Sequence, residues 1–277
     1  MRSRKDLLHE AAGADVAAMW PAVRSARLFE SCETFEEWRS RQPWAVRIND
    51  SGEAVVLMRW RDHLDILQIR EAWCPARNVA RMLENVRAVA KSHGFPKLLS
   101  PMLVESAAAP YVEAGLRERL KLASYKAKPA SVRRFLPPPG VVLRAAVPSD
   151  VGAVAELERG CFSAFWRHDL DAIDSAIPLG RVVVAEDRGE VIGYTLTTLS
   201  RGSATLARVA VRPGVRGRGV GRALVSDASE FAVQECAPTL SLCTQESNDA
   251  SRSLYESMGF IEVPGRMVLA GDAGVRF

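Results

Sequence analysis

No stretch of this chain approaches the roughly 20 consecutive apolar residues of a membrane-spanning helix. The first 23 residues also carry Asp6, Glu10 and Asp15 where a secretory leader needs an unbroken apolar core. Both absences point to a cytoplasmic protein without a membrane partner. The five cysteines, at 32, 74, 161, 236 and 243, are odd in number and widely spaced. There is no Cys-x-x-Cys pair and no histidine cluster, so reduced thiols are expected and no metal site. Lysine is missing from the second half altogether. Residues 1–138 hold 23 Lys and Arg against 16 Asp and Glu, and residues 139–277 hold 14 against 17. A net charge of +4 over 277 residues is too small to indicate nucleic acid, but the asymmetry suits two separately built units.

The length suits two domains, each able to bury a core. Pro137, Pro138 and Pro139 stand in a row within residues 132–140, a stretch that can continue neither a helix nor a central strand. The expected division is residues 1–136 and residues 141–277. In the first part, helices are expected at 6–23, 34–39 and 79–93 with Gly94 as C-cap, and strands at 44–48, 54–60 and 63–69. In the second, Asp150 is expected to cap a helix to about Glu158. Strands follow at 182–185, 191–199 and 205–211, then a glycine loop with its helix at 223–232, a strand at 239–244, a helix at 248–258, and closing strands at 260–263 and 267–269.

Both parts therefore read helix, hairpin, strand, helix, strand, helix, strand. Pro75 ends the third strand of the first as Pro213 does in the second, and Tyr111-Val-Glu-Ala-Gly115-Leu116 answers Tyr255-Glu-Ser-Met-Gly259-Phe260. Between these anchors the first part is shorter by about the length of a Gly-Val-Arg-Gly-Arg-Gly insertion. It reads as a copy without that loop.

The loop itself, Val215-Arg216-Gly217-Arg218-Gly219-Val220-Gly221-Arg222, lies where a strand hands over to a helix. Glycines there bring backbone N–H groups and the positive helix end close to a ligand, and three arginines add charge. The guest such a turn suits is a phosphate or pyrophosphate.

Two motifs carry a family resemblance. One is Arg/Gln-x-x-Gly-x-Gly/Ala, matched by Arg216, Gly219 and Gly221. The other is Asn-x-x-(Ala/Ser)-x-x-x-Tyr-x-x-x-Gly-Phe, matched by Asn248, Ser251, Tyr255, Gly259 and Phe260. From residue 141 to about 270 the chain resembles the GCN5-related N-acetyltransferases (GNAT), and the whole is similar to tandem members of that superfamily with a degenerate first domain. The implied fold is α/β: two GNAT-like domains in tandem, each a mixed, mostly antiparallel twisted sheet flanked by helices. The implied activity is transfer of an acetyl group from acetyl-CoA, as co-substrate and without a metal, to a primary amine of a small-molecule or peptide acceptor. The resemblance implies a donor site of Arg216, Gly217, Arg218, Gly219, Val220, Gly221 and Arg222 around the pyrophosphate. The backbone of Val209, Ala210 and Val211 would lie along the pantetheine arm, where two strands splay apart, and Asn248 and Ser251 would stand beside it. Tyr255 matches the tyrosine that protonates the departing thiolate.

The base stays open. Relatives use a glutamate on the strand before the loop, but residues 206–211 hold no carboxylate. Glu246 is the leading candidate, with Glu158, His168, Asp169 and the carboxylate of Phe277 as alternatives. Residues 161–169 lie where relatives build the acceptor pocket. Cys236 and Cys243 have no histidine nearby in sequence, which favours direct attack over a cysteine acyl-enzyme. The first part is expected to shape the acceptor site, stabilise the second or mediate association into a homodimer. Two alternatives remain: a non-catalytic acyl-CoA-binding regulatory module, and a protein N-terminal acetyltransferase.

Overall fold

Two pairs of parallel strands, each continued on both sides by antiparallel partners, organise the chain in a computed structural model that describes residues 7–26, 28, 29, 31–168, 170–179, 181–200 and 203–275. In chain order the elements are β1 (His9–Glu10), α1 (Gly13–Ala26), α2 (Cys32–Arg41), β2 (Val46–Ile48), β3 (Ala54–Arg59), β4 (Ile66–Trp73) and α3 (Val79–Ser92). There follow β5 (Lys97–Leu99), β6 (Leu103–Val104), α4 (Glu105–Glu113), β7 (Arg117–Ala127), β8 (Val141–Ala145), α5 (Val151–Cys161) and α6 (Leu170–Leu179). The last are β9 (Arg181–Asp187), β10 (Glu190–Ser200), β11 (Ser203–Val211), α7 (Val220–Gln234), β12 (Leu240–Gln245), α8 (Asp249–Ser257) and β13 (Ile261–Gly271). None of the described helices is long and apolar enough to cross a membrane.

The described residues form two compact units, residues 7–120 with 267–275, and residues 121–266. In the first, β1 to β4 pair antiparallel in order, β4 runs parallel to β5, and Gly271 of β13 pairs antiparallel with Leu99. The apolar stripe of α3, with Val79, Met82, Leu83, Val86 and Ala90 buried, packs with Leu57, Leu67, Ile69 and Leu98 into its core. In the second unit, β8, β9, β10 and β11 pair antiparallel in order, β11 runs parallel to β12, and residues 122–127 of β7 pair antiparallel with β12. Its helix α7 buries Val225, Ala228 and Ala232 among Leu206, Leu240 and Leu242. Arg188 and Gly189, both at positive φ (53° and 82°), make the tight β9–β10 turn expected over 186–190.

The compact units thus part elsewhere than at the triple proline, because each takes its last strand from the other half of the sequence. Residues 121–127 close the second unit, and the end of β13 closes the first. This also explains why the two closing strands expected at 260–263 and 267–269 are one: Pro264-Gly265 reads as a turn, but the strand continues through it from one unit into the other.

Four local expectations also change. The helix expected over 6–23 begins at Gly13, since His9 and Glu10 pair with Ile48 and Arg47, and Ala11 N–H bonds the Val46 carbonyl (3.0 Å); Asp6 lies outside the described residues. The strand expected at 44–48 begins at Val46, after a 3-10 turn at Pro43–Ala45. The strand expected at 63–69 runs from Ile66 to Trp73, after a turn in which His63 N–H bonds the Trp60 carbonyl (3.0 Å). Asp150 precedes α5 without capping it. Its carboxylate takes Val147 N–H (2.8 Å) and both terminal nitrogens of Arg144 (2.7 and 2.9 Å), locking the turn before the helix to β8.

The repeat survives in detail. After Pro75 and from Pro213 the chain makes a single 3-10 turn, and α4 and α8 both end on a glycine at positive φ. There Leu116 N–H returns to the Tyr111 carbonyl (3.0 Å) and Phe260 N–H to the Tyr255 carbonyl (3.1 Å).

Replacing Asp150 by Ala leaves Arg144 with Glu186 alone and the Val147 amide without its acceptor, and is expected to cost about 1–3 kcal/mol. Urea unfolding of the two proteins side by side measures it, and an unchanged midpoint would contradict this account of the turn.

Candidate active site

The strands β11 and β12 are ladder neighbours at two positions, Ala204 with Leu240 and Thr205 with Ser241. Beyond them β11 pairs with β10 and β12 with β7, so a wedge opens between the parallel strands toward their C-terminal ends. A β-bulge decides which backbone groups line it. Leu196 of β10 faces Arg208 while Thr197 faces Leu206, leaving Ala207 as the extra residue. Past the bulge, Arg212 N–H bonds the Ile192 carbonyl (2.8 Å) beside the Val211–Gly193 pair. By the alternation of an antiparallel ladder, the amides and carbonyls of Val209 and Val211 then point away from β10, into the wedge. The Val211 carbonyl accordingly accepts from Arg216 Nε (3.0 Å) and Cys161 Sγ (3.4 Å). Ala210, between them, turns its backbone to β10 and buries its methyl group.

At the wide end of the wedge the chain makes its 3-10 turn at Pro213–Val215. It then passes through Gly217 (φ 81°) and Gly219 (φ 93°, ψ −6°) directly into α7. Both glycines sit in left-handed conformations that a side chain would strain. The first helical bond runs from Ala223 N–H to the Gly219 carbonyl (3.1 Å), so the amides of Val220, Gly221 and Arg222 stay outside the helix ladder at its positive end. A Cβ on Gly221 would stand 3.6 Å from Leu254 and 3.7 Å from Val211, so helix start, strand end and α8 meet there. The arginines spread in three directions. Arg216 braces the turn on Val211, Arg218 reaches Asp187 (3.6 Å), and Arg222 lies 5.4 Å over the Phe135 ring.

Tyr255 is buried in the cluster that holds Leu206, Leu240 and Leu242, on which Val209 also packs. Its hydroxyl has no hydrogen-bond partner among the described residues, and burial pushes its pKa up, so the phenol keeps its proton at neutral pH. Asn248 caps α8, its Oδ1 accepting Ser251 N–H (3.2 Å), which is the local role its position in the motif also allows. Glu246 stands just after β12, its N–H on the Lys121 carbonyl (3.1 Å) and its carboxylate on Arg266 Nε (2.8 Å). No described contact joins it to Tyr255. Cys243 is exposed, with Ser124 Oγ 3.3 Å from its sulfur. Asp169 and Phe277 lie outside the described residues.

The strongest electrostatic feature escaped sequence reasoning. Glu158 of α5 is fully buried and takes Arg208 Nε (2.9 Å) and Nη2 (2.5 Å), His168 N–H (2.9 Å) and the Tyr194 hydroxyl. Burial opposes its charge, yet Arg208, Tyr194 and the His168 amide together hold its pKa below the ordinary carboxylate range. With four donors on two oxygens it has little capacity left to serve as a base. Arg208 in turn donates to the Trp166 carbonyl and lies 3.8 Å over the Phe162 ring. The pair therefore fastens residues 161–168, the expected acceptor region, to β11. The sequence showed Arg208 merely as the absence of a strand carboxylate, and nothing local ties it to a glutamate 50 residues away. Among the described residues no group of three or more His, Cys, Asp and Glu is arranged to hold a metal ion.

The model of the acetyltransferase (GNAT) family matches residues 151–260. The chain is 31% identical over 137 residues to the uncharacterized N-acetyltransferase YhfO of Bacillus subtilis, covering 44% of this chain and 91% of that protein. The chain belongs to the GNAT acetyltransferase family. It is accordingly an N-acetyltransferase, and the family takes acetyl-CoA as acyl donor. The mycothiol acetyltransferase of Streptomyces avermitilis is 32% identical over 135 residues, 44% of each chain. A tandem GNAT protein from the clavulanic acid biosynthesis pathway shares the fold over 98% of this chain and 99% of its own, with a TM-score of 0.70 at 17% identity.

The GNAT-like first unit differs where the loop is missing. The buried Glu53 carboxylate accepts from Asn49 Nδ2 (2.9 Å), from Asn78, which precedes α3, and from Arg81 Nη2 (2.7 Å) in the first turn of that helix. A carboxylate of the protein itself thus stands against the helix start.

Glu158→Gln leaves the Arg208 cation buried without its counter-charge and is expected to cost about 3–5 kcal/mol. Because the folded pKa of Glu158 lies below its unfolded value of about 4.3, this stabilisation is complete above that pH and is lost as pH falls through the folded pKa. Melting temperatures should accordingly differ strongly at pH 7 and converge in acid; a constant gap would contradict the assignment.

Proposed function

We propose that the second unit binds acetyl-CoA and transfers its acetyl group to a primary amine by direct attack. The observation that carries this reading is the wedge faced by the amides of Val209 and Val211, with the buried, protonated Tyr255 in the cluster on which Val209 packs. The outward amides of Val220, Gly221 and Arg222 suit the donor's pyrophosphate, and the wedge suits its pantetheine arm, an extended chain of amides that can pair with a strand.

The Val209 N–H donates to the thioester oxygen as negative charge gathers there. The amine nitrogen forms its bond to the acyl carbon, the carbon–sulfur bond breaks, and the departing thiolate takes the proton of Tyr255. Burial holds the phenol neutral, the form that carries the proton to be donated. Glu246, half-exposed at the wide end of the wedge, is proposed to take the amine proton through water. Glu158 and Arg208 position residues 161–168 for the acceptor. The first unit, with Glu53 against the start of α3, is proposed to bind no acetyl-CoA.

Tyr255→Phe is expected to lower kcat on the order of 100-fold while KM for acetyl-CoA stays within a few-fold, as befits loss of a general acid. Thiol release from acetyl-CoA over a panel of small amines and peptides measures both. Tight acetyl-CoA binding without turnover on any amine would favour a regulatory module, and turnover on peptides alone a protein N-terminal acetyltransferase. Gly219→Glu sets a side chain and a negative charge in the cradle and should abolish acetyl-CoA binding; retained affinity would sink the loop assignment.

A further inference from the structure

The chain between β7 and β8 is laid along α7 rather than spanning free. The Pro129 carbonyl accepts Ser229 Oγ (2.7 Å), Arg133 N–H bonds the Met258 carbonyl (2.9 Å), and Ser226 Oγ accepts Phe135 N–H (2.9 Å) while donating to the Arg133 carbonyl (3.3 Å). Residues 129–138 therefore run backwards along α7 and arrive at its beginning, the donor loop. There the Arg222 guanidinium lies 5.4 Å over the Phe135 ring, and Pro138 Cγ stands 3.8 Å from where a Cβ on Gly219 would be. Leu136, between these two contacts, is 90% exposed, and Phe135 is 37% exposed. A rigid, proline-backed segment thus holds two apolar side chains in solvent beside a phosphate cradle, with an arginine fixed next to them.

We infer that Phe135 and Leu136 form the platform on which the adenine of acyl-CoA rests. This deepens the acetyl-CoA reading above and depends on it. Beyond the pyrophosphate the donor continues into a ribose and a flat base with an apolar face, and such a face stacks on aromatic and aliphatic side chains. Three consecutive prolines, Pro137 to Pro139, limit the entropy lost on ordering such a platform. In this assignment the stretch between the two halves serves donor recognition rather than spacing.

The test compares CoA with 4′-phosphopantetheine, which carries the same arm and one phosphate but no adenosine, by calorimetric titration of the full chain. In Leu136→Asp and Phe135→Ala the dissociation constant for CoA is expected to rise roughly tenfold, a value inside the range for loss of one base stack, while that for phosphopantetheine stays within about twofold. Leu136 is too exposed for its replacement to disturb folding, and thermal melting checks the Phe135 variant. Equal weakening of both ligands, or of neither, would overturn the platform. So would unchanged CoA affinity combined with loss of self-association by sedimentation, which would make this surface a contact between copies. An unaltered protein that binds neither ligand would overturn the acetyl-CoA reading, and the platform with it.

Discussion

The parting of β11 from β12 is the constraint on which the rest of the second unit depends. A parallel pair that stops after two residues leaves backbone amides and carbonyls without ladder partners, and buried groups of that kind need partners from elsewhere. The wedge stays open because each strand is held from its far side, β11 by the long ladder to β10 and β12 by residues 122–127. The bulge at Ala207 then selects Val209 and Val211 as the residues that face it. The loop before α7 continues from the end of β11, and Tyr255, in the last turn of α8, packs in the cluster that Val209 joins.

Charge is handled in three ways around this frame. In the second unit a buried glutamate is matched by Arg208, and the pair ties residues 161–168 to β11. In the first, Glu53 sits against the start of α3 and is satisfied by Asn49, Asn78 and Arg81. At the start of α7 Arg216 and Arg222 are braced on a carbonyl and an aromatic ring, and Arg218 on Asp187. The two helix starts present the same dipole, and that of α3 is met by the protein's own anion.

The exchange of closing strands gives the repeat a physical consequence. Each half of the sequence supplies the same order of elements, yet neither supplies its unit's last strand, so the first unit is completed by residues near the C-terminus of the chain. A linear reading sees the repeat correctly and divides it at the prolines, because composition marks stiffness rather than pairing. Those prolines stiffen a strap along α7. The single strand β13, with Pro264 and Gly265 inside it, was read as two for a similar reason: turn residues register locally, whereas pairing with distant strands does not.

The sequence by itself determined the features set by near neighbours: the period of α3, the glycines that bend the loop before α7, the cap of α8 by Asn248, the Tyr-to-Gly turns that end α4 and α8, and the family through motifs of fixed spacing. Tertiary structure alone decided which amides line the wedge, since one extra residue at Ala207 reverses their facing. It also decided that Glu158 is saturated by Arg208 rather than available, and that residues 129–138 reach the loop. Propensity, caps and glycine conformations act over a few residues. Ladder register, buried ion pairs and strand exchange join residues tens to more than a hundred apart, and no local pattern encodes which partner wins.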